Sequence, residues 1–81
     1  MIIKLDQRLY EFLKSRLLLE KSNLVIYLPN SFEFSFEICD NIAIEIRDWA
    51  SEKLQIEGYD KDYNLTENGK LFEQLEDIFY S

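Results

Sequence analysis

A lone cysteine, Cys39, and the absence of histidine leave this chain with neither a disulfide nor a zinc-finger spacing to hold it together. An apolar core must therefore do that work in 81 residues, a length with room for one domain spanning 1–81 and not for two. A domain this small buries only about 60–65% of the surface its unfolded chain exposes. Hydrophobic residues make up 47% of the chain, too many for a disordered polypeptide. The longest apolar run, Leu24–Leu28, is far too short to span a membrane. Met1-Ile2-Ile3-Lys4 lacks the charged start, apolar core and small-residue cleavage site of a signal peptide. A cytoplasmic protein is the expectation.

Composition also narrows the function. Histidine is the only side chain that titrates near neutral pH unperturbed, so its absence disfavours general acid–base catalysis. Carboxylates alone would need a pocket that raises one pKa, and so small a core rarely encloses one. Gly58 and Gly69 are the only glycines, too few for a phosphate-cradling loop. A non-enzymatic protein without cofactor or metal is expected. A net charge of −7 repels a phosphate backbone, which disfavours direct nucleic-acid binding.

That charge is unevenly placed. Residues 1–32 carry five basic and three acidic side chains, whereas residues 33–81 carry four basic and thirteen acidic ones. A strongly acidic remainder suits steered association with a basic protein. Solubility alone would also account for it.

Residues 4–21 read as a helix, with Leu5, Leu9, Phe12 and Leu13 on one face. Arg16 falls within that apolar stripe, and Leu17-Leu18-Leu19 is apolar around the whole circumference. Either the helix ends buried on all sides, or Leu18 faces a second chain. Leu24–Leu28 reads as a short strand or extended buried segment, ended by Pro29-Asn30. Phe32, Phe34, Phe36 and Ile38 alternate with polar residues, so a hairpin of 24–28 with 32–36 is plausible, and a three-stranded meander running on through Ile42, Ile44 and Ile46 is its rival.

A helix from about residue 40 is preferred over that third strand. Asp40 is placed to cap it, Ile42, Ile46, Trp49 and Ala50 keep helical spacing, and Gly58 stops it. Residues 59–65 form a polar loop with aromatic anchors. In the last helix Thr66 is the cap, Glu67 sits at the positive end, and Leu71, Leu75, Ile78 and Phe79 form the buried stripe, widened by Phe72. The fold class expected is mainly α: three helices, with a short extended or β-hairpin segment between the first and second.

Asp60, Asp62 and Asn64 match the first three ligand positions of a calcium loop, but Leu65 stands where glycine is needed and Leu71 where a bidentate glutamate is needed. An acidic loop without metal is the better reading. Glu45, Asp48 and Glu52 lie along one flank of the second long helix, extended by Asn41 and Gln55, and Glu73, Glu76 and Asp77 make a similar cluster on the last. Such like charges cost an isolated helix about 0.2–0.5 kcal/mol per pair. They form either a solvated face or a surface that meets Lys and Arg of a partner. Tyr63, between carboxylates, is either an interface anchor or a ring packed back on the helices, and Tyr59 reads as the latter. Trp49 reads as core, and Cys39 as a small buried residue.

From Glu45-Ile46-Arg47-Asp48-Trp49 through Gly58-Tyr59-Asp60-Lys61-Asp62-Tyr63-Asn64-Leu65-Thr66-Glu67-Asn68-Gly69-Lys70-Leu71, the chain resembles small acidic immunity proteins of bacterial polymorphic toxin and contact-dependent inhibition systems. The resemblance covers about the second half of the chain and contains no catalytic signature. It implies a protein that binds one cognate toxin domain, often a nuclease, and blocks it without catalysis. The Asp…Tyr-Tyr-Pro motif of colicin-nuclease immunity proteins is absent, so their binding residues are not carried over.

The expected function is therefore immunity against a basic toxin, most readily a ribonuclease, with Glu45, Asp48, Glu52, Asp60, Asp62 and Tyr63 as partner-binding residues. Leu17 and Leu18 are the candidate seam of a homodimer. The alternatives are a dimerising structural or adaptor protein with no toxin partner, and a nucleic-acid-mimicking inhibitor of a DNA-binding protein.

Overall fold

The computed structural model describes residues 1–80. The elements run β1 (Ile2–Lys4), α1 (Gln7–Glu20), α2 (Ser22–Val25), β2 (Ser35–Glu37), α3 (Asp40–Glu57) and α4 (Glu67–Phe79). The protein is mainly helical, with a small antiparallel sheet made of β1 and β2.

The first helix starts later than its apolar spacing predicts. Asp6 caps it by accepting a hydrogen bond from the Leu9 N–H at 2.8 Å. Residues before the cap are strand, with Ile2 opposite Glu37, Ile3 opposite Phe36 and Lys4 opposite Ser35. The Leu5 N–H to Phe34 carbonyl and Ile38 N–H to Met1 carbonyl bonds, both 2.9 Å, prolong the ladder at either end. Ile3 is thereby turned into the core and Ile2 away from it.

The expected hairpin between 24–28 and 32–36 is not formed. Residues 22–25 are helical, and Tyr27 and Leu28 donate back to the carbonyls of Leu24 and Val25 in a continuing turn. Leu24 and Leu28, four residues apart, are both buried, a spacing that one helical turn satisfies and a strand also permits. Core contact decides for the helical form, and the Tyr10 hydroxyl fixes the exit by donating to the Pro29 carbonyl at 2.6 Å. The alternation at 34–38 does make a strand, but its partner is the N-terminal segment. The rival third strand at 42–46 is absent, because those residues lie in α3. The structure thus has four helices among the described residues, the added one being the short α2.

The ends of α3 and α4 follow the expected chemistry with two refinements. Cys39, not Asp40, is the cap of α3, without a side-chain bond, and Asp40 sits in the first turn where its charge meets the positive helix end. Thr66 caps α4 through its Oγ1, which accepts from the Gly69 N–H at 2.9 Å. The two glycines matter by proximity. Gly58 ends α3 with ordinary right-handed φ, and a side chain at Gly69 would run into the Gly58 backbone. That close approach lets α4 begin directly beside the end of α3, its most extensive packing partner.

Phe72 sits at the centre of the core, fully buried, with Phe12 and Trp49 edge-on at ring separations of 5.0 and 5.5 Å. Ala43, Ile46, Trp49 and Ala50 of α3 and Leu71, Leu75 and Phe79 of α4 face the same core, while Ile78 is only partly buried. Cys39 is exposed, contrary to its reading as a small core residue. No helix among the described residues is long and apolar enough to cross a membrane.

Candidate partner-binding surface

With Ala43, Ile46 and Ala50 directed inward, the helical repeat puts Glu45, Asp48 and Glu52 on an exposed flank of α3. All three line one depression of about 220 Å³, whose other wall comes from α1's end and α2 through Lys21, Asn23 and Leu24. Helical rise spreads the three carboxylates over about 10 Å. Glu45 and Glu52 have no ion pair among the described residues, and Asp48 has a 3.4 Å contact with Arg47. Arg47 also lies over the Tyr80 ring, at 5.5 Å from its centroid.

Trp49 completes the depression. It is 5% exposed, as a core residue should be, yet its Nε1–H is buried without a hydrogen-bond partner. An orphaned buried donor costs about 1–3 kcal/mol. The sequence reading placed Trp49 in the core and missed this second aspect, as it missed Lys21 and Asn23.

The inward stripe of α3 that Ile46 and Ala50 begin continues through Lys53 and Glu57, where its charges are paired. Arg16 reaches from α1 to Glu57 through both guanidinium arms, at 2.8 and 2.9 Å, and to Glu20 at 2.8 Å. Lys53 closes the square, 2.7 Å from Glu20 and 3.2 Å from Glu57. The bonds from Arg16, opposed by partial burial and helped by Lys53, hold the Glu57 carboxyl at about 2. Burial pushes the Glu20 carboxyl up, but the combined bonds of Lys53 and Arg16 outweigh it and lower its pKa. The Glu57 bond is the main reason the Arg16 guanidinium holds its proton even more firmly than usual. Arg16, the apparent flaw in the apolar stripe, is the centre of this network, and it also lies over the Phe12 and Phe72 rings. The i, i+4 spacings of Arg16 with Glu20 and of Lys53 with Glu57 were its sequence signal.

The loop after α3 divides its residues between building and display. Asp60 Oδ1 accepts from the Asp62 and Asn64 N–H groups at 2.8 and 3.0 Å, so Asp60 shapes the turn. The Tyr59–Leu65 bridge closes the loop base, with Tyr59 46% exposed, less packed back than expected. Tyr63 stands at the tip, 86% exposed, with φ at 64°. A bulky residue in the left-handed region costs about 1–2 kcal/mol, and burial returns none of it here. Asp62 and Tyr63 lie outside the α2–α3 depression, so the structure does not gather all six candidates into one site.

Leu17 and Leu18 also part company. Leu17 is fully buried in the protein's own core and is unable to touch a second chain, which removes it from the proposed seam. Leu18 and Leu19 are 61% and 81% exposed, and Ile26 just beyond α2 is 77% exposed.

Comparison with protein-family models, curated proteins and solved structures found nothing that matches this chain.

Proposed function

We propose that this protein is an immunity protein: it binds a cognate basic toxin domain, a nuclease and most readily a ribonuclease, and blocks it without catalysis. The observation that carries the reading is the contrast between two sets of charges on α3, one paired against α1 and one left on the exposed flank. Glu20 and Glu57 are neutralised by Arg16 and Lys53, whereas Glu45 and Glu52 are exposed and make no ion pair among the described residues. An acidic surface left uncompensated beside a compensated one suits a cationic partner, accelerates encounter and penalises the wrong one. Asp62 and Tyr63 supply a second contact, with the exposed ring as anchor. The loose sequence resemblance to immunity proteins points the same way.

The test is co-expression with a toxin domain encoded directly upstream, in the bacterial cytoplasm. A complex that co-purifies, restores growth and weakens as ionic strength rises agrees with the proposal. A complex insensitive to salt, or no protection, contradicts it.

Exposed Leu18, Leu19 and Ile26 favour a second reading, a self-associating structural or adaptor protein. Light scattering on Leu18→Glu separates the two, since a dimer built on this surface becomes monomeric while a salt-steered toxin complex is unaffected. A nucleic-acid mimic would instead bind several unrelated basic proteins.

A further inference from the structure

Asn68 is the only asparagine of the chain that glycine follows. An asparagine side-chain carbonyl can be attacked by the next backbone nitrogen, closing a five-membered ring, and glycine has no Cβ to shield that nitrogen. Asn68 is exposed, so the water that completes such a reaction has access to it.

Two features of the fold hold the pair back from reacting. Asn68 and Gly69 lie in the first turn of α4. Ring closure needs the Gly69 nitrogen nearly eclipsed with Asn68 Cβ, and a helical ψ of about −42° keeps the two apart. The Gly69 N–H, which must lose its proton before the nitrogen attacks, is buried and donates to Thr66 Oγ1 at 2.9 Å. The same hydroxyl lies 3.2 Å from the carbonyls of both Glu57 and Gly58, and the Thr66 N–H donates to the Gly58 carbonyl at 2.8 Å. One side chain thus ties the start of α4 to the end of α3 and masks the nucleophile. Helix ends open more readily than the core, and this cap sets how often the end of α4 does so.

We infer that Asn68–Gly69 is a self-modification site gated by the Thr66 hydroxyl. When the first turn of α4 opens, hydroxide removes the Gly69 amide proton and the nitrogen attacks Asn68 Cγ. A C–N bond forms, the bond from Cγ to the side-chain nitrogen breaks, and that nitrogen takes a proton from water and leaves as ammonia. The cyclic imide then adds water at either carbonyl and opens to aspartate or isoaspartate. Water enters, ammonia leaves, and no oxidant or cofactor is consumed. Both products add a negative charge. Aspartate in the first turn meets the positive helix end and leaves α4 in place. Isoaspartate lengthens the backbone immediately before Gly69, where even a Cβ would strike the Gly58 backbone. It loosens α4 from α3, so a transient opening becomes a lasting one. The site acts without any partner and is independent of the immunity reading.

The experiment incubates the intact protein in mildly alkaline buffer, folded and in guanidinium, and follows it by peptide mass mapping. A protease that cleaves before aspartate but not before isoaspartate separates the products. Asn68 should be the first asparagine modified, about tenfold or more slowly in the folded chain than in the unfolded one. Thr66→Val, which keeps the shape and loses the hydroxyl, should speed the folded-state reaction about fivefold, while Thr66→Ser should keep the original rate. Guanidinium too dilute to unfold the protein should raise hydrogen exchange at the Gly69 amide and modification at Asn68 together, a readout that stands even if Thr66→Val does not fold. Equal rates in the folded and unfolded chain overturn the gate, as does a folded Thr66→Val no faster than Thr66→Ser, or exchange that rises without modification. Another asparagine modified first overturns the site. An isoaspartyl product with an unchanged urea midpoint overturns the loosening of α4.

Discussion

Arg16 of α1 and Glu57 of α3, 41 residues apart in sequence, meet in a two-pronged ion pair with N–O distances of 2.8 and 2.9 Å. Their side chains keep only 19% and 31% of their exposure, and Glu20 and Lys53 extend the pair into a network. It is the polar joint between the first and third helices. Glu45, Asp48 and Glu52 of α3 stand outside that network and line the groove.

The joint should be measurable as a coupling. Arg16→Met and Glu57→Gln are each expected to destabilise the protein by about 1–3 kcal/mol in urea unfolding. The double variant should lose about 1–2 kcal/mol less than the sum of the two. Strict additivity would mean that the pair contributes nothing beyond its separate packing.

Acid should undo the same joint. Folding lowers the Glu57 pKa from an ordinary carboxyl value of 4.5 to about 2, so the folded state favours the ionised form. The stability this supplies is fully present above about pH 4.5 and is lost as pH falls through that value toward 2. Melting temperature should therefore drop across this window, and drop less in Arg16→Met, where the cause of the shift is removed. A parallel decline in both proteins would assign the acid sensitivity to other carboxylates.

Tyr63 offers a substitution expected to stabilise. Glycine adopts a φ of 64° without steric cost, so Tyr63→Gly should raise stability by about 0.5–1 kcal/mol after the greater freedom of its unfolded chain is counted. Thermal unfolding checks the gain, and toxin protection checks whether the exposed ring was held there for a partner. A stabilised variant with full protection would remove Tyr63 from the binding surface.

Gly69 should be intolerant. A methyl group there meets the Gly58 backbone, which has no flexible end to move aside. Gly69→Ala is expected to cost about 1–3 kcal/mol by forcing α3 and α4 apart, despite the better helix propensity of alanine. An unchanged urea midpoint would contradict the close packing of the two helix ends.

How far the sequence reveals this fold depends on how local the governing physics is. The Thr66 cap and the Leu71–Leu75–Phe79 stripe are signals contained within α4, and they identify it. Glu45, Asp48 and Glu52 fall on one exposed flank as their spacing requires. Residues 24–28 mislead, because strand propensity there gives way to the burial of Leu24 and Leu28 against a core that local sequence does not describe. The alternation around Phe36 correctly signals a strand, but its partner, Ile2–Lys4, lies more than thirty residues earlier and carries no turn signal to reveal it. Arg16 shows the same limit in the site: an awkward residue in one helix is explained only by a carboxylate in another. Trp49 is legible as core, whereas its missing hydrogen-bond partner is a property of the folded arrangement alone.

The most direct measurement compares protection by two charge-matched variants against the toxin domain that the proposed function requires. One carries Glu45→Lys, Asp48→Lys and Glu52→Lys; the other carries Glu73→Lys, Glu76→Lys and Asp77→Lys, with folding of each verified by circular dichroism. Both change the net charge equally, so only position distinguishes them. Lost protection in the α3 variant with protection kept in the α4 variant is the expected result. Protection kept by the α3 variant, or lost alike in both, would contradict a docking role for the α3 groove.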